Sequence, residues 1–181
     1  VYRVSFDAEG VAEVPVRVVA SVIDPQGIAF DPNGETLYVV DVGDNDNAAQ
    51  IVAASLPSFL TSVVVTEVEV DVPLDNPRHI QALGENLVVV SEFGADRVLF
   101  VDFSADPPTV TVQFETNNPR GLAFSNTQSN FLYVGRTTGS GLLELHVFSE
   151  PDTAWVDRRE VAANLGSPDG VAFDAEGALY V

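Results

Sequence analysis

Cysteine, lysine and methionine are all absent from this chain of 181 residues. Without cysteine there are no disulfides and no thiolate metal sites. Without lysine, all eight basic side chains are arginines; they face 27 acidic residues, which leaves a net charge of −19. Such a charge repels phosphate backbones, so nucleic acid is not expected as a partner, and anionic membrane surfaces are disfavoured for the same reason. Long apolar stretches are missing too, and none approaches the ~18 residues that span a bilayer. No signal peptide is visible, since the chain opens in a strand-like segment, Val1 to Phe6. The lack of methionine predicts a processed or partial product. An acidic surface without lysine fits a salt-rich or extracellular setting, or a GC-rich genome; an extracellular or periplasmic location is expected over a cytoplasmic one.

What the chain has is valine-rich apolar sequence in short runs, within a hydrophobic content of 46%. It also has an internal repeat. Four segments share a phrase: Pro25-Gln-Gly-Ile-Ala-Phe-Asp, Pro77-Arg-His-Ile-Gln-Ala-Leu, Pro119-Arg-Gly-Leu-Ala-Phe-Ser and Pro168-Asp-Gly-Val-Ala-Phe-Asp. The prolines step by 52, 42 and 49 residues, close to the roughly 40–50 of a four-stranded propeller blade. After each proline come a short apolar strand, a turn such as Asp31-Pro-Asn-Gly34 or Asp174-Ala-Glu-Gly177, and a second strand such as Leu37 to Val40 or Leu87 to Val90. These runs are apolar throughout, as strands covered on both faces are. Third and fourth strands follow in Arg97 to Phe103 and Thr109 to Phe114, and in Leu142 to Phe148 and Trp155 to Val161.

The fold predicted is all-β: a propeller of about four blades' worth of four-stranded antiparallel sheets, with sixteen strands. Its divisions are a partial blade at 1–24, blades at 25–76, 77–118 and 119–167, and a partial blade at 168–181. Two closures are open, a four-bladed ring and an incomplete arc of a six- to eight-bladed propeller, and the arc is the expectation.

Strand alternation places the residue after each proline near the channel mouth. Gln26, Arg78, His79, Arg120 and Asp169 are therefore expected to converge, ringed by 41–47, 92–96 and 136–140. Arg78 and Arg120 could bind a carboxylate or steady an oxyanion. His79 could activate water as a general base, oriented by Glu92. The alternative is that His79 and Glu92 pair structurally while the arginines neutralise an acidic rim. Asp41-Val-Gly-Asp-Asn-Asp-Asn47 is oxygen-rich, and Asp41, Asp44 and Asp46 could hold Ca²⁺, although the spacing is not that of an EF-hand and a solvated acidic turn is the preferred reading. His146 sits in mid-strand and reads as structural.

The Pro-x-Gly-Ile/Leu/Val-Ala-Phe phrase with its following Leu-Tyr-Val resembles the YVTN and NHL propeller repeats over nearly the whole chain. The stretch from Asp157-Arg-Arg-Glu through Ser167-Pro-Asp-Gly to Leu179-Tyr-Val181 resembles the gluconolactonase/regucalcin family. That resemblance implies a divalent metal (Ca, Zn or Mg) on Asp169, with Asp169 acting in proton transfer. The family's asparagine ligand in the preceding repeat is replaced by Arg120, which cannot ligate a cation, so the metal site is incomplete. Asn76-Pro-Arg-His-Ile80 with Val90-Ser-Glu-Phe93 resembles the seven-bladed 6-phosphogluconolactonase-type lactonases, which implies site roles for Arg78, His79 and Glu92. Arg136 lies near a further arginine of that pattern, one residue out of step. The function expected is hydrolysis of a sugar lactone or related ester at the funnel face. The alternative is a non-catalytic secreted propeller that binds a small molecule, a glycan or a protein through its loops.

Overall fold

The computed structural model describes the chain apart from residues 4–6, 13–15, 18, 20–21, 45–47, 57–63, 69–72, 129 and 149–154. Among the described residues there are sixteen strands and no helix. A short hairpin, β1 (Tyr2–Arg3) and β2 (Val16–Arg17), precedes three four-stranded antiparallel sheets. The first sheet holds β3 (Pro25–Phe30), β4 (Thr36–Asp41), β5 (Gln50–Ser55) and β6 (Val64–Val68). The second holds β7 (Pro77–Ala82), β8 (Leu87–Glu92), β9 (Arg97–Asp102) and β10 (Thr109–Glu115). The third holds β11 (Pro119–Phe124), β12 (Phe131–Arg136), β13 (Leu142–Phe148) and β14 (Trp155–Ala163). A last hairpin joins β15 (Ala172–Phe173) to β16 (Leu179–Tyr180).

Every four-stranded sheet pairs its strands in sequence order, and no described sheet closes on itself. The leading strands β3, β7, β11 and β15 neighbour one another in turn. Together they line one groove of about 490 Å³, with residues from all four facing it. This is a propeller-like arrangement: sheets stand side by side with their first strands innermost.

The valine-rich runs explain the stacking. Successive side chains on a strand point to opposite faces. In β8, Val88 and Val90 join Tyr38, Val40 and Ile51 of the first sheet. Val89 between them joins Leu122, Leu132 and Val134 of the third. In β4 the same alternation sends Tyr38 and Val40 one way and Leu37 and Val39 the other, against Val19. Each middle sheet is buried on both faces, so alternation of apolar with polar residues is lost and a continuous apolar run remains. Each fully buried valine contributes about 1.5–3 kcal/mol.

In the three four-stranded sheets the first strand begins at the proline, three residues earlier than the apolar run suggests. A proline can open a strand because it has no N–H to donate to the ladder. Directly after it the register slips in all three sheets. Pro25 pairs with Asp41 but Gly27 with Val40; Pro77 pairs with Glu92 but His79 with Ser91; Pro119 pairs with Arg136 but Leu122 with Val134. The extra residue of such a bulge is unpaired and its side chain is re-aimed. Gln26, Arg78 and Arg120 stand at these bulges.

The glycine after the bulge is set by close approach of the innermost strands. A Cβ on Gly27 would lie 3.1 Å from the Arg78 carbonyl oxygen, and one on Gly121 would lie 2.7 Å from Val171 Cγ2 and 2.9 Å from the Asp169 carbonyl oxygen. Gly135 on β12 is tighter still, with a Cβ placed 2.4 Å from the Pro168 carbonyl oxygen. The far rim is latched as well: Asn33 Nδ2 donates to Glu85 Oε1 at 2.8 Å, and Asn126 Nδ2 to the Asp174 carbonyl at 2.7 Å.

Gly135→Ala is expected to destabilise by about 1–3 kcal/mol, as overpacking does, because the obstacle is backbone rather than a flexible side chain. Gly84→Ala, with nothing within 4 Å of a Cβ, serves as control. Equal unfolding midpoints for the two variants in urea would show that the last hairpin does not rest on β12.

Candidate functional site

Three charged residues close the second strands of the three sheets, at one equivalent position opposite the proline: Asp41, Glu92 and Arg136. All three are buried. Asp41 accepts hydrogen bonds from the backbone N–H of Ile23 (3.0 Å), Asp24 (2.7 Å) and Gly43 (3.3 Å) and from Gln50 Nε2 (3.3 Å). Glu92 accepts from the Asp75 N–H at 2.6 Å and forms an ion pair with Arg97, whose Nη2 donates to the Pro73 carbonyl. In the third sheet the polarity is reversed. Arg136 Nε donates to the Asn117 carbonyl at 2.9 Å, and Glu144 supplies the counter-charge. Each residue thus ties down the loop that leads into its sheet.

This placement differs from three expectations. Asp41 directs its carboxylate at backbone amides, which occupy the lone pairs a cation would need. Asp44 is exposed, Asp46 lies outside the described residues, and no group of three potential ligands gathers among the described residues. Glu92 does not orient His79, because its two oxygens serve Asp75 and Arg97. Arg136 faces Glu144 inside the sheet and not the channel. Reading from sequence could not see this, because the partners Arg97 and Glu144 are supplied by the third strands.

Glu144 also accepts from Thr116 Oγ1 at 3.0 Å and meets His146 Nε2 at 3.2 Å. Burial alone would raise its pKa, but hydrogen bonds from His146, Arg136 and Thr116 and the Arg136 charge outweigh it and hold the carboxyl at about 2. His146 is fully buried and stacked on Phe114 with ring centroids 4.4 Å apart. Burial lowers its pKa more than Glu144 raises it.

The residues after the prolines form a row on the opposite rim from the Asn33 and Asn126 latches. Arg78 Nη1 donates to Gln26 Oε1 at 2.9 Å, and Gln26 Nε2 donates to Asp24 at 2.7 Å. Arg120 Nη1 donates to Asp169 Oδ1 at 2.6 Å, and Ser167 Oγ donates to the other Asp169 oxygen at 3.2 Å. Between these pairs lies Phe93, with Arg78 Cζ 5.6 Å and Arg120 Cζ 4.7 Å from its ring centroid. Phe93 escaped the sequence reading, although it follows Glu92 directly in the turn expected on this face. Ser91 escaped it too: its hydroxyl accepts from the His79 N–H at 3.0 Å and donates to the Arg120 carbonyl at 2.7 Å.

The structure therefore brings Gln26, Arg78, Arg120 and Asp169 into one row, with His79 bridged to it through Ser91. The imidazole of His79 lines the groove, has no hydrogen-bond partner among the described residues, and has its pKa lowered by burial. Asp169, the residue implied as a metal ligand, is claimed by a guanidinium. A cation there would face Arg120 at short range, and the residues described do not make a divalent-cation site.

No family model matches the chain, and no curated protein does. Solved structures do. A candidate 6-phosphogluconolactonase from Bacteroides uniformis is similar over 96% of this chain and 54% of its own, at 12% identity and a TM-score of 0.70. The hydrazine synthase of Kuenenia stuttgartiensis is similar over 90% of this chain and 42% of its own, at 16% identity and a TM-score of 0.62. The periplasmic gluconolactonase of Pseudomonas aeruginosa is similar over 97% of this chain and 69% of its own, at 16% identity and a TM-score of 0.51. The chain spans about half the length of the first of these. At such identities the likeness concerns the fold alone.

Acid is expected to destabilise the protein in two windows. His146 is neutral when folded and has a lowered pKa, so the unfolded chain takes up the proton first as pH falls below 6.5. Glu144 contributes stability above its unfolded value of 4.5, and that is lost as pH falls toward about 2. Urea unfolding followed against pH should show both declines, and Glu144→Gln should remove the lower one. A variant that keeps the full decline below pH 4.5 would contradict the assignment.

Proposed function

We propose that the chain carries the site of a hydrolase acting on a sugar lactone or related ester, at the rim where the four innermost strands meet. One observation carries this reading. Two arginines share the Phe93 ring, and the residue that follows Arg78 is His79, which is half-buried, lines the groove and makes no side-chain hydrogen bond among the described residues. Each guanidinium has five N–H donors, and among the described residues Arg78 makes one hydrogen bond to protein and Arg120 one.

His79 takes a proton from water as the water adds to the lactone carbonyl, and Arg78 and Arg120 face the oxyanion that develops there. Collapse of the tetrahedral intermediate breaks the ring C–O bond, and the imidazolium returns its proton to the leaving oxygen. Gln26 and Asp169 hold the two guanidiniums in place. The names of two structural neighbours as lactonases support the reaction class, and the likeness to more than half of a longer chain supports an incomplete arc of a six- to eight-bladed propeller. The acidic, lysine-free composition supports an extracellular or periplasmic setting.

The second reading, a non-catalytic propeller that binds a small ligand, glycan or protein, is favoured by one feature. Arg78–Gln26 and Arg120–Asp169 are sheet-to-sheet bonds, like the Asn33 and Asn126 latches on the far rim. Hydrolysis separates the two. In a pH-stat assay on glucono-lactone, His79→Gln is expected to lower kcat by about 10²-fold or more, the usual worth of a general base. Because burial lowers the His79 pKa, the wild-type rate should hold through pH 6.5 and fall only on its acid side. Absence of hydrolysis in the wild type, or an unchanged kcat in His79→Gln, leaves the binding module.

A further inference from the structure

The row Gln26, Arg78, Arg120 and Asp169 occupies equivalent positions in four successive units, so its three seams can be compared directly. The first is closed by the Arg78–Gln26 bond and the third by the Arg120–Asp169 bond. At the middle seam the two guanidiniums meet the ring of Phe93 instead, and no hydrogen bond joins Arg78 to the third unit among the described residues. Their guanidinium carbons can be no further apart than those two ring distances laid end to end.

Three further observations mark the same seam. At the next position the first and third sheets carry Gly27 and Gly121, each within 3.1 Å of the following unit once given a Cβ. The second sheet carries His79 there, so its seam with the third is built to admit a side chain. Across it, Ser91 bridges the two innermost backbones with its hydroxyl. Finally, six arginines have described side chains, and Arg97, Arg120, Arg136, Arg158 and Arg159 each lie within 4.0 Å of a carboxylate. Arg78 does not. In a chain with 27 acidic residues, the one arginine without a carboxylate partner among the described side chains stands at this seam.

What the seam lacks is one anion. Asp169 and Asp24 flank the row at its two ends, and like charges nearby disfavour a second negative charge on the ligand. A carboxylate fits: it carries a single charge, and its oxygens accept charge-assisted hydrogen bonds from guanidinium N–H groups such as those of Arg78, which has no carboxylate partner among the described residues. We propose that the Arg78–Arg120 seam is a carboxylate subsite, and that its occupant is a sugar acid. The identity of that acid rests on the hydrolase reading. Opening a lactone forms a C–O bond from water, breaks the ring C–O bond to leave a hydroxyl, and releases a proton from the new acid. The product is thus a carboxylate generated beside two guanidiniums, where the neutral substrate had none. The product is retained and slows its own formation.

Calorimetric titration of the protein with sodium gluconate, with sorbitol as the neutral analogue and inorganic phosphate as the dianion, tests this. Gluconate should bind, sorbitol should not, and phosphate should bind more weakly than gluconate. Arg78→Gln should weaken gluconate by about tenfold or more, the worth of a lost charge-assisted hydrogen bond. Its partner in the protein is the neutral Gln26, so the variant breaks no ion pair; Arg78→Lys should restore part of the affinity. Added gluconate should inhibit lactone hydrolysis in the wild type and do so less in Arg78→Gln. Gluconate bound without any lactone hydrolysis sustains the subsite and refutes the hydrolase. Hydrolysis that gluconate does not inhibit, equal affinity in Arg78→Gln, or phosphate binding tighter than gluconate overturns the subsite.

Discussion

The geometry of the rim depends on one recurring constraint: a buried polar side chain at the end of each sheet's second strand holds the loop that leads into that sheet. Asp41 and Glu92 do this by accepting backbone N–H bonds, and Arg136 does it by donating to a carbonyl. The proline that follows has no N–H of its own to anchor the loop. Fixing the loop fixes the proline, the bulge after it, and the direction of the side chain the bulge throws out. The row of Gln26, Arg78 and Arg120 is a consequence of locks that sit one layer below it.

The locks are energetically demanding because they bury charge. A buried ion pair with one partner removed leaves an uncompensated charge, which destabilises by about 3–5 kcal/mol. The second and third sheets therefore each recruit a counter-charge from the third strand, Arg97 for Glu92 and Glu144 for Arg136. The first sheet needs none, since four donors surround Asp41. In the third sheet the reversal of sign propagates further. Glu144 has oxygens to satisfy beyond the Arg136 bond, and Thr116 and His146 come to it. His146 reads as structural in mid-strand, and it is, as part of a network that begins with the lock.

Much of the architecture is legible in the chain alone because its causes are local or repetitive. Continuous valine runs report burial on both faces, Asp-Pro-Asn-Gly and Asp-Ala-Glu-Gly report turns, and the repeated proline reports the period. The row after the prolines is legible too, since equivalence in a repeat implies a shared face. What could not be read is which charged residues look inward. Asp41, Glu92 and Arg136 have the chemistry of a metal ligand, a carboxylate that orients a catalytic base and a substrate-binding cation, and nothing local distinguishes those roles from holding a loop. The answer lies in hydrogen bonds to residues 5 to 19 positions away. The bulge is equally silent, because a register slip depends on two strands at once. Phe93 is an ordinary turn residue until two arginines from different sheets are found over its ring.

A protein with a net charge of −19 is an unpromising host for an anion, and distance decides the matter. At an ionic strength near 0.15 M the Debye length is about 8 Å, so the acidic residues spread over the surface act on the rim only weakly. A carboxylate about 4 Å from a guanidinium near a protein surface gains about 4 kcal/mol before the work of removing water from it. Short-range attraction at two guanidiniums therefore outweighs the screened field, while that field still slows the approach of any anion from solution. A neutral lactone meets no such barrier on the way in. Under the proposed hydrolysis, an acidic chain with a pair of arginines at its rim is thus better suited to making its anion in place than to capturing one, which would tie the charge of the whole chain to the direction of that reaction.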